Sequence, residues 1–183
     1  MSRILEPISD SMVVLGVISA VVGAIYAVFE RESGRALGWS SVSQLGIAIL
    51  SPAYACTYAM QHGICKALLF STLHAEGNEA AQAPSSHSHG HGHGLNPPPP
   101  VEELIRVVVF IVASLSIMGF PFLTGFVTKS WVKTDLPYEA KIIYSTAALL
   151  TSTVYARLIF DRVSAFVRHS HFRASFMVSR LER

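Results

Sequence analysis

From Met12 to Phe29 the chain runs about 18 residues without a charged side chain, close to the ~20 apolar residues that carry a helix across a bilayer core. Four further stretches are predominantly apolar, at roughly 36–52, 54–74, 104–124 and 139–160. We read the five as membrane helices, giving an all-α integral membrane fold. Composition agrees. Hydrophobic residues make up 51% of the chain and charged ones 14%, against roughly 25% charged in soluble domains. Mean hydropathy is +0.43, and the charges are segregated between the apolar runs. A water-soluble domain is excluded, and no nucleic-acid partner is expected.

The N-terminus sets Arg3 against Glu6 and Asp10, which is not a cationic leader, and the run that follows is longer than a signal core. It is read as the first helix, ended by "ERESGR". Residues 1–74 therefore hold helices one to three. Residues 75–103, with "AEGNEAAQAPSSHSHGHGHGLNPPPP", are low in complexity and are expected to form a disordered loop. Helices four and five follow over 104–160. The remainder, 161–183, carries Arg162, Arg168, Arg173, Arg180 and Arg183 among Phe166, Val167, Phe172, Phe176 and Met177, the pattern of a basic helix lying along headgroups. Cys56 and Cys65 share one apolar segment and are read as small packing residues rather than a disulfide.

Orientation follows from lysine and arginine in the connections. Arg31, Arg35, Arg106, Arg157 and the tail arginines collect on one side; Arg3, Lys129, Lys133 and Lys141 collect on the other. The first side is assigned to the cytoplasm, with the N-terminus outside and the C-terminus inside.

Inside this apolar frame "HGICKALLFSTLH" places Lys66 about two residues, or ~3 Å along a helix, from the centre of its segment. A charge there costs about 2.5–3.5 kcal/mol on insertion scales. The cost falls if the lysine faces the protein, meets water or sheds its proton. Apart from Glu139 at the very start of the fifth, no Asp or Glu lies within the five spans to pair with it. A lysine so placed can take up and release a proton, and His62, one turn earlier on the same face, titrates near neutral pH and is a candidate relay. The plainer alternative is a lysine that holds helices together.

Ser40, Ser43 and Gln44 of "SSVSQ" fall within one helical face. They are candidates either for a water-lined path or for bonds between helices. In "GFPFLTGFVTKSW", Pro121 and Gly125 interrupt an apolar segment just before Lys129, as broken transporter helices do where they line cavities. Lys129 then sits at a water-filled entrance or, more simply, at an ordinary helix end. His87, His89, His91 and His93 form a separate tract. Imidazoles on a glycine-rich loop suit loose, exchangeable binding of zinc, nickel or copper, or serve only as a solvated spacer.

Four stretches, in this order, resemble the antiporter-like membrane subunits shared by respiratory complex I, Mrp-type cation/proton antiporters and membrane-bound hydrogenases. "ERESGRALGWSSVSQLGIAIL" is similar to that family's D-L-K-R-x-L-A-Y-S-S-x-S-Q/H-x-G, and "QHGICKALLF" to its H-A-x-F-K-A-L-L-F. "SIMGFPFLTGFVTKSW" is similar to L-A-G-x-P-P-x-x-G-F-x-x-K, and "STVYARLIF" to T-A-x-Y-x-x-R-L-x-F. The family fold is two inverted five-helix repeats, each with a broken helix, and the match is to the second repeat only. The resemblance implies that Lys66 is the central proton-transfer lysine, set on a broken helix, with His62 its neighbour and Lys129 at the outer exit. Gly34 stands where the family has a lysine, and Phe122 where it has a second proline. The His-rich loop and arginine tail have no counterpart in the motifs.

The function implied is half of a proton or sodium path in an Mrp-like antiporter or a complex I-like NAD(P)H:quinone oxidoreductase. Other antiporter-like subunits would supply the first repeat, and redox cofactors would lie on other chains. Alternatives are a structural accessory subunit of such a complex, or metal-ion transport or sensing through the histidine loop. A bacterial plasma membrane is the expected location, with a thylakoid or other energy-coupling membrane as the alternative.

Overall fold

The computed structural model describes the backbone of residues 2–81 and 100–181, and side chains over 11–74 and 101–168. Every element among them is helical: α1 Ser2–Phe29, α2 Ser33–Leu50, α3 Ala55–Ala81, α4 Pro100–Met118, α5 Thr124–Asp135 and α6 Tyr138–Leu181. Among the described residues, two helices, over Ser11–Phe29 and Tyr138–Arg168, are long and apolar enough to cross a membrane on length and composition. The expected loop 75–103 is shortened from both sides, because α3 runs on to Ala81 and α4 begins at Pro100.

The helix boundaries have local causes. Glu30 ends the first turn region by accepting from the Arg31 and Glu32 backbone N–H groups and pairing with Arg35 at 3.3 Å. Pro52 follows the end of α2 and denies Ser51 a helical conformation. The α4 terminus is a Schellman cap. The Phe120 N–H donates to the Leu115 carbonyl at 3.0 Å, and that of Gly119 to Ser116 at 3.1 Å, with Gly119 in the left-handed region at φ 84°.

Two expectations change here. The fourth span does not continue to 124: the Gly119 cap stops it at Met118, and Phe122, itself at φ 73°, carries the chain into the separate short helix α5. The break therefore falls between α4 and α5, whereas the helix that holds Lys66 is continuous through it. The tail, expected to begin a separate element at 161, is instead an uninterrupted extension of α6, which meets no glycine or proline between Tyr138 and Leu181.

The helices pack α1 on α2 and α6, α3 on α2, α4 and α5, and α4 on α5 and α6. Two apolar clusters result. One joins Leu37, Leu69, Phe110, Val154 and Leu158. The other joins Ile47, Tyr58, Val132, Tyr144 and Ala147. On α2, α3 and α6 alike, the buried side chains between these clusters are polar: Ser40, Ser43 and Gln44, His62, and Thr151.

Candidate functional site

Residue spacing puts that polar layer together. On α2, Ser40 and Gln44 are one turn apart; on α3, Tyr58, His62 and Lys66 follow at the same interval; on α6, Thr151 and Tyr155 do so again. Residues four apart share a helix face, so three polar stripes meet where α2, α3 and α6 converge.

Lys66 is 6% exposed. Its Nζ donates to the Leu37 carbonyl at 2.5 Å and to Ser40 Oγ at 2.7 Å, and lies 5.4 Å from the Tyr155 ring centroid. Ser40 Oγ in turn lies 2.9 Å from Tyr155 Oη. No carboxylate bonds the ammonium among the described residues; its charge is met by neutral oxygens and an aromatic face. One turn further along α2, Gln44 Nε2 donates to Thr151 Oγ1 at 3.0 Å, and Tyr58 Oη donates to Gln44 Oε1.

His62 is equally buried, its ring stacked with Tyr58 at 6.4 Å between centroids. Its Nε2 has no hydrogen-bond partner among the described residues, and buried nitrogens of that kind are uncommon. Both Lys66 and Lys129 lie within electrostatic reach of this imidazole.

Lys129 belongs to α5 and reaches back across the break, donating from Nζ to the Met118 carbonyl at 3.2 Å. That carbonyl is at the C-terminal end of α4, the negative end of its dipole, where a cation is stabilised. The close crossing depends on Gly125, whose Cα rests on the Ser116 carbonyl so tightly that a Cβ would collide with it. Gln61 donates to Ser116 Oγ at 3.2 Å and ties α3 to the same place. The C-terminal end of α5 is fixed by Ser51, which donates to Asp135 at 2.6 Å, and by Trp131 stacked on Tyr54.

Of the residues expected from sequence, Lys66, His62, Ser40 and Gln44 meet in one layer, and Lys129 approaches it across the break. Ser43 does not join them. It donates to the Ala20 carbonyl at 2.8 Å and fastens α2 to α1. The four histidines at 87, 89, 91 and 93 lie outside the described residues. Among the described residues, no three metal-ligating side chains converge, and both cysteines are free. Sequence reasoning passed over Tyr58, Thr151 and Tyr155. Their i, i+4 spacing on α3 and α6 was the available signal.

The family described as "NADH:quinone oxidoreductase/Mrp antiporter, TM" matches residues 2–154 of this chain. NADH-ubiquinone oxidoreductase chain 5 of Chondrus crispus is 30% identical over 130 residues, covering 66% of this chain and 18% of its own length. The corresponding chain 5 of Metridium senile is 28% identical over 167 residues, 80% of this chain and 25% of its own. The chloroplastic NAD(P)H-quinone oxidoreductase subunit 5 of Ranunculus macranthus is 28% identical over 163 residues, 84% and 21%. The chain thus spans a quarter or less of the length of these relatives. No solved structure matches it.

Proposed function

Because this chain belongs to the NADH:quinone oxidoreductase/Mrp antiporter transmembrane family, we propose that it contributes half of a proton path to a complex I-like assembly in an energy-coupling membrane. Lys66 is the group that holds and releases the proton. The observation that carries this reading is an ammonium 6% exposed with no carboxylate partner among the described residues. Such a charge is costly to keep, and proton release removes the cost.

In this mechanism a proton reaches Lys66 from a loading group on another antiporter-like segment of the assembly. The Leu37 carbonyl and Ser40 stabilise the ammonium. His62, with Nε2 unpaired among the described residues, passes the proton by way of water toward Lys129. The α4 carbonyl terminus that binds Lys129 holds the positive charge at the break, and α5 leads from there to the outer surface. The N-terminus lies outside and the C-terminus in the cytoplasm or its equivalent. The chloroplastic relative makes a thylakoid membrane as suitable a location as a bacterial plasma membrane. Sodium in place of the proton belongs to an Mrp-like variant of the same reading. Loose zinc, nickel or copper binding at His87, His89, His91 and His93 is a peripheral property.

Proton flux in native membrane vesicles tests it. Lys66→Ala abolishes flux with the assembly intact, and deletion of 85–94 leaves flux unchanged. Metal handling as the main role requires the reverse.

A second reading rests on the same hydrogen bonds: Lys66 tying α3 to α2 in a structural subunit. It requires Lys66→Ala to dissociate the complex.

A further inference from the structure

The geometry points to Tyr155 as a positioning residue for Lys66: its hydroxyl completes a Lys66–Ser40–Tyr155 hydrogen-bond chain whose direction reverses when the lysine gains or loses its proton. This rests on the reading of Lys66 as a proton carrier.

Ser40 Oγ stands between two partners, Lys66 Nζ at 2.7 Å and Tyr155 Oη at 2.9 Å. A hydroxyl has one proton and two lone pairs. While Lys66 is an ammonium it has only donors, so Ser40 must accept from it and directs its own proton to Tyr155. When Lys66 is an amine, its lone pair accepts a hydrogen bond from the Ser40 hydroxyl, and Tyr155 turns to donate to Ser40. Every member stays bonded in both states because each end of the chain can change roles. A valine or alanine at 40, or a phenylalanine at 155, cannot do this.

Tyr155 acts on the ammonium a second way. Its ring centroid is 5.4 Å from Nζ, within the ~6 Å range where an aromatic face attracts a cation. The ring is itself fully buried, which holds it in place.

The other titratable or charged neighbours are few. α3 supplies His62 and Cys65, and α5 supplies Lys129. α6 supplies Arg162, two turns beyond Tyr155, with its guanidinium 5.4 Å from the Phe110 ring centroid. α2 presents Ser40 and the Leu37 carbonyl, and α4 presents Phe110, Ala113 and Ile117. Among the described residues, Ser40 and Leu37 are the acceptors that Lys66 bonds.

The sign follows from the chain. Ser40 is a better acceptor for the ammonium while it donates onward, so removing the Tyr155 oxygen weakens the charged state more than the neutral one. Proton flux is measured across pH in native membrane vesicles holding the full assembly. Tyr155→Phe moves the midpoint of the flux profile toward acid by about half a unit. Tyr155→Leu, which also removes the ring, moves it further. Ser40→Ala resembles Tyr155→Phe or exceeds it, and Ser40→Thr restores the normal profile.

Unchanged profiles for both Tyr155 variants overturn the inference. Loss of assembly in Tyr155→Phe, a change of one oxygen atom, overturns it equally by making Tyr155 a folding residue. Lys66→Ala run in parallel separates the two levels. Flux that survives it defeats the proton-carrier reading itself, whereas flux abolished by it, with unmoved Tyr155 profiles, defeats only the role of Tyr155.

Discussion

At Lys66 the energetic terms are of similar size. An intramembrane charge costs about 2.5–3.5 kcal/mol, while a hydrogen bond to a charged group returns about 1.5–3 kcal/mol. Two such bonds roughly offset the cost and leave little net stabilisation. Replacing buried charge with apolar volume is often neutral or stabilising. Lys66→Met is therefore expected to hold or raise the melting temperature of the extracted complex while abolishing proton flux; a fall in melting temperature would mark Lys66 as a structural tie. His62→Ala and Lys129→Ala are expected to slow flux at least tenfold without loss of assembly, checked by the same vesicle assay. Lys66, Ser40 and Gln44 were legible from sequence because each is polar within an apolar helix. Tyr155 and Thr151 carried only their i, i+4 spacing on α6 as a signal, a weak one because tyrosine and threonine are ordinary in membrane helices. Their partners Ser40 and Gln44 also lie more than a hundred positions away, and nothing local announces the pairing.

Among the elements, the α4–α5 break carries the strongest constraint. A Cβ at Gly125 would drive α5 off the Ser116 carbonyl, so Gly125→Ala is expected to cost about 1–3 kcal/mol and lower assembly yield on native gels. The proline and glycine around 119–125 announced an interruption. Its form was hidden, because Phe122 in the left-handed region is a conformation that a bulky side chain rarely takes. The continuation of α6 was missed for another reason. Asp161 and Arg162 mark the end of an apolar run, but charge does not end a helix, and no breaker follows. The α1–α2 turn adds a pH dependence. The Glu32 N–H, then Arg35, hold the Glu30 carboxyl below its usual range. A depressed carboxylate stabilises above the unfolded value and loses that contribution as pH falls through the folded one. Protection of the Arg31 and Glu32 amides, relative to their intrinsic exchange at each pH, is accordingly expected to fall in acid, and Glu30→Gln to remove the effect.

Among the described residues, one buried polar layer lies between two apolar clusters, an arrangement that keeps Lys66 away from bulk solvent. Family membership and the helical frame follow from the apolar periodicity and the four ordered motifs, which the match over 2–154 supports. The direction and loading of the proposed path would be set by the rest of the proposed assembly, since the chain spans 18% to 25% of the length of the relatives compared. The central claim is that Lys66 must lose its proton as well as gain it. Arginine keeps the positive charge and the donors but does not deprotonate in proteins. The decisive measurement is proton flux in native vesicles whose assembly carries Lys66→Arg, with complex content quantified alongside. The account predicts an intact assembly and no flux. Flux near the unmodified level, from an intact assembly, would contradict it.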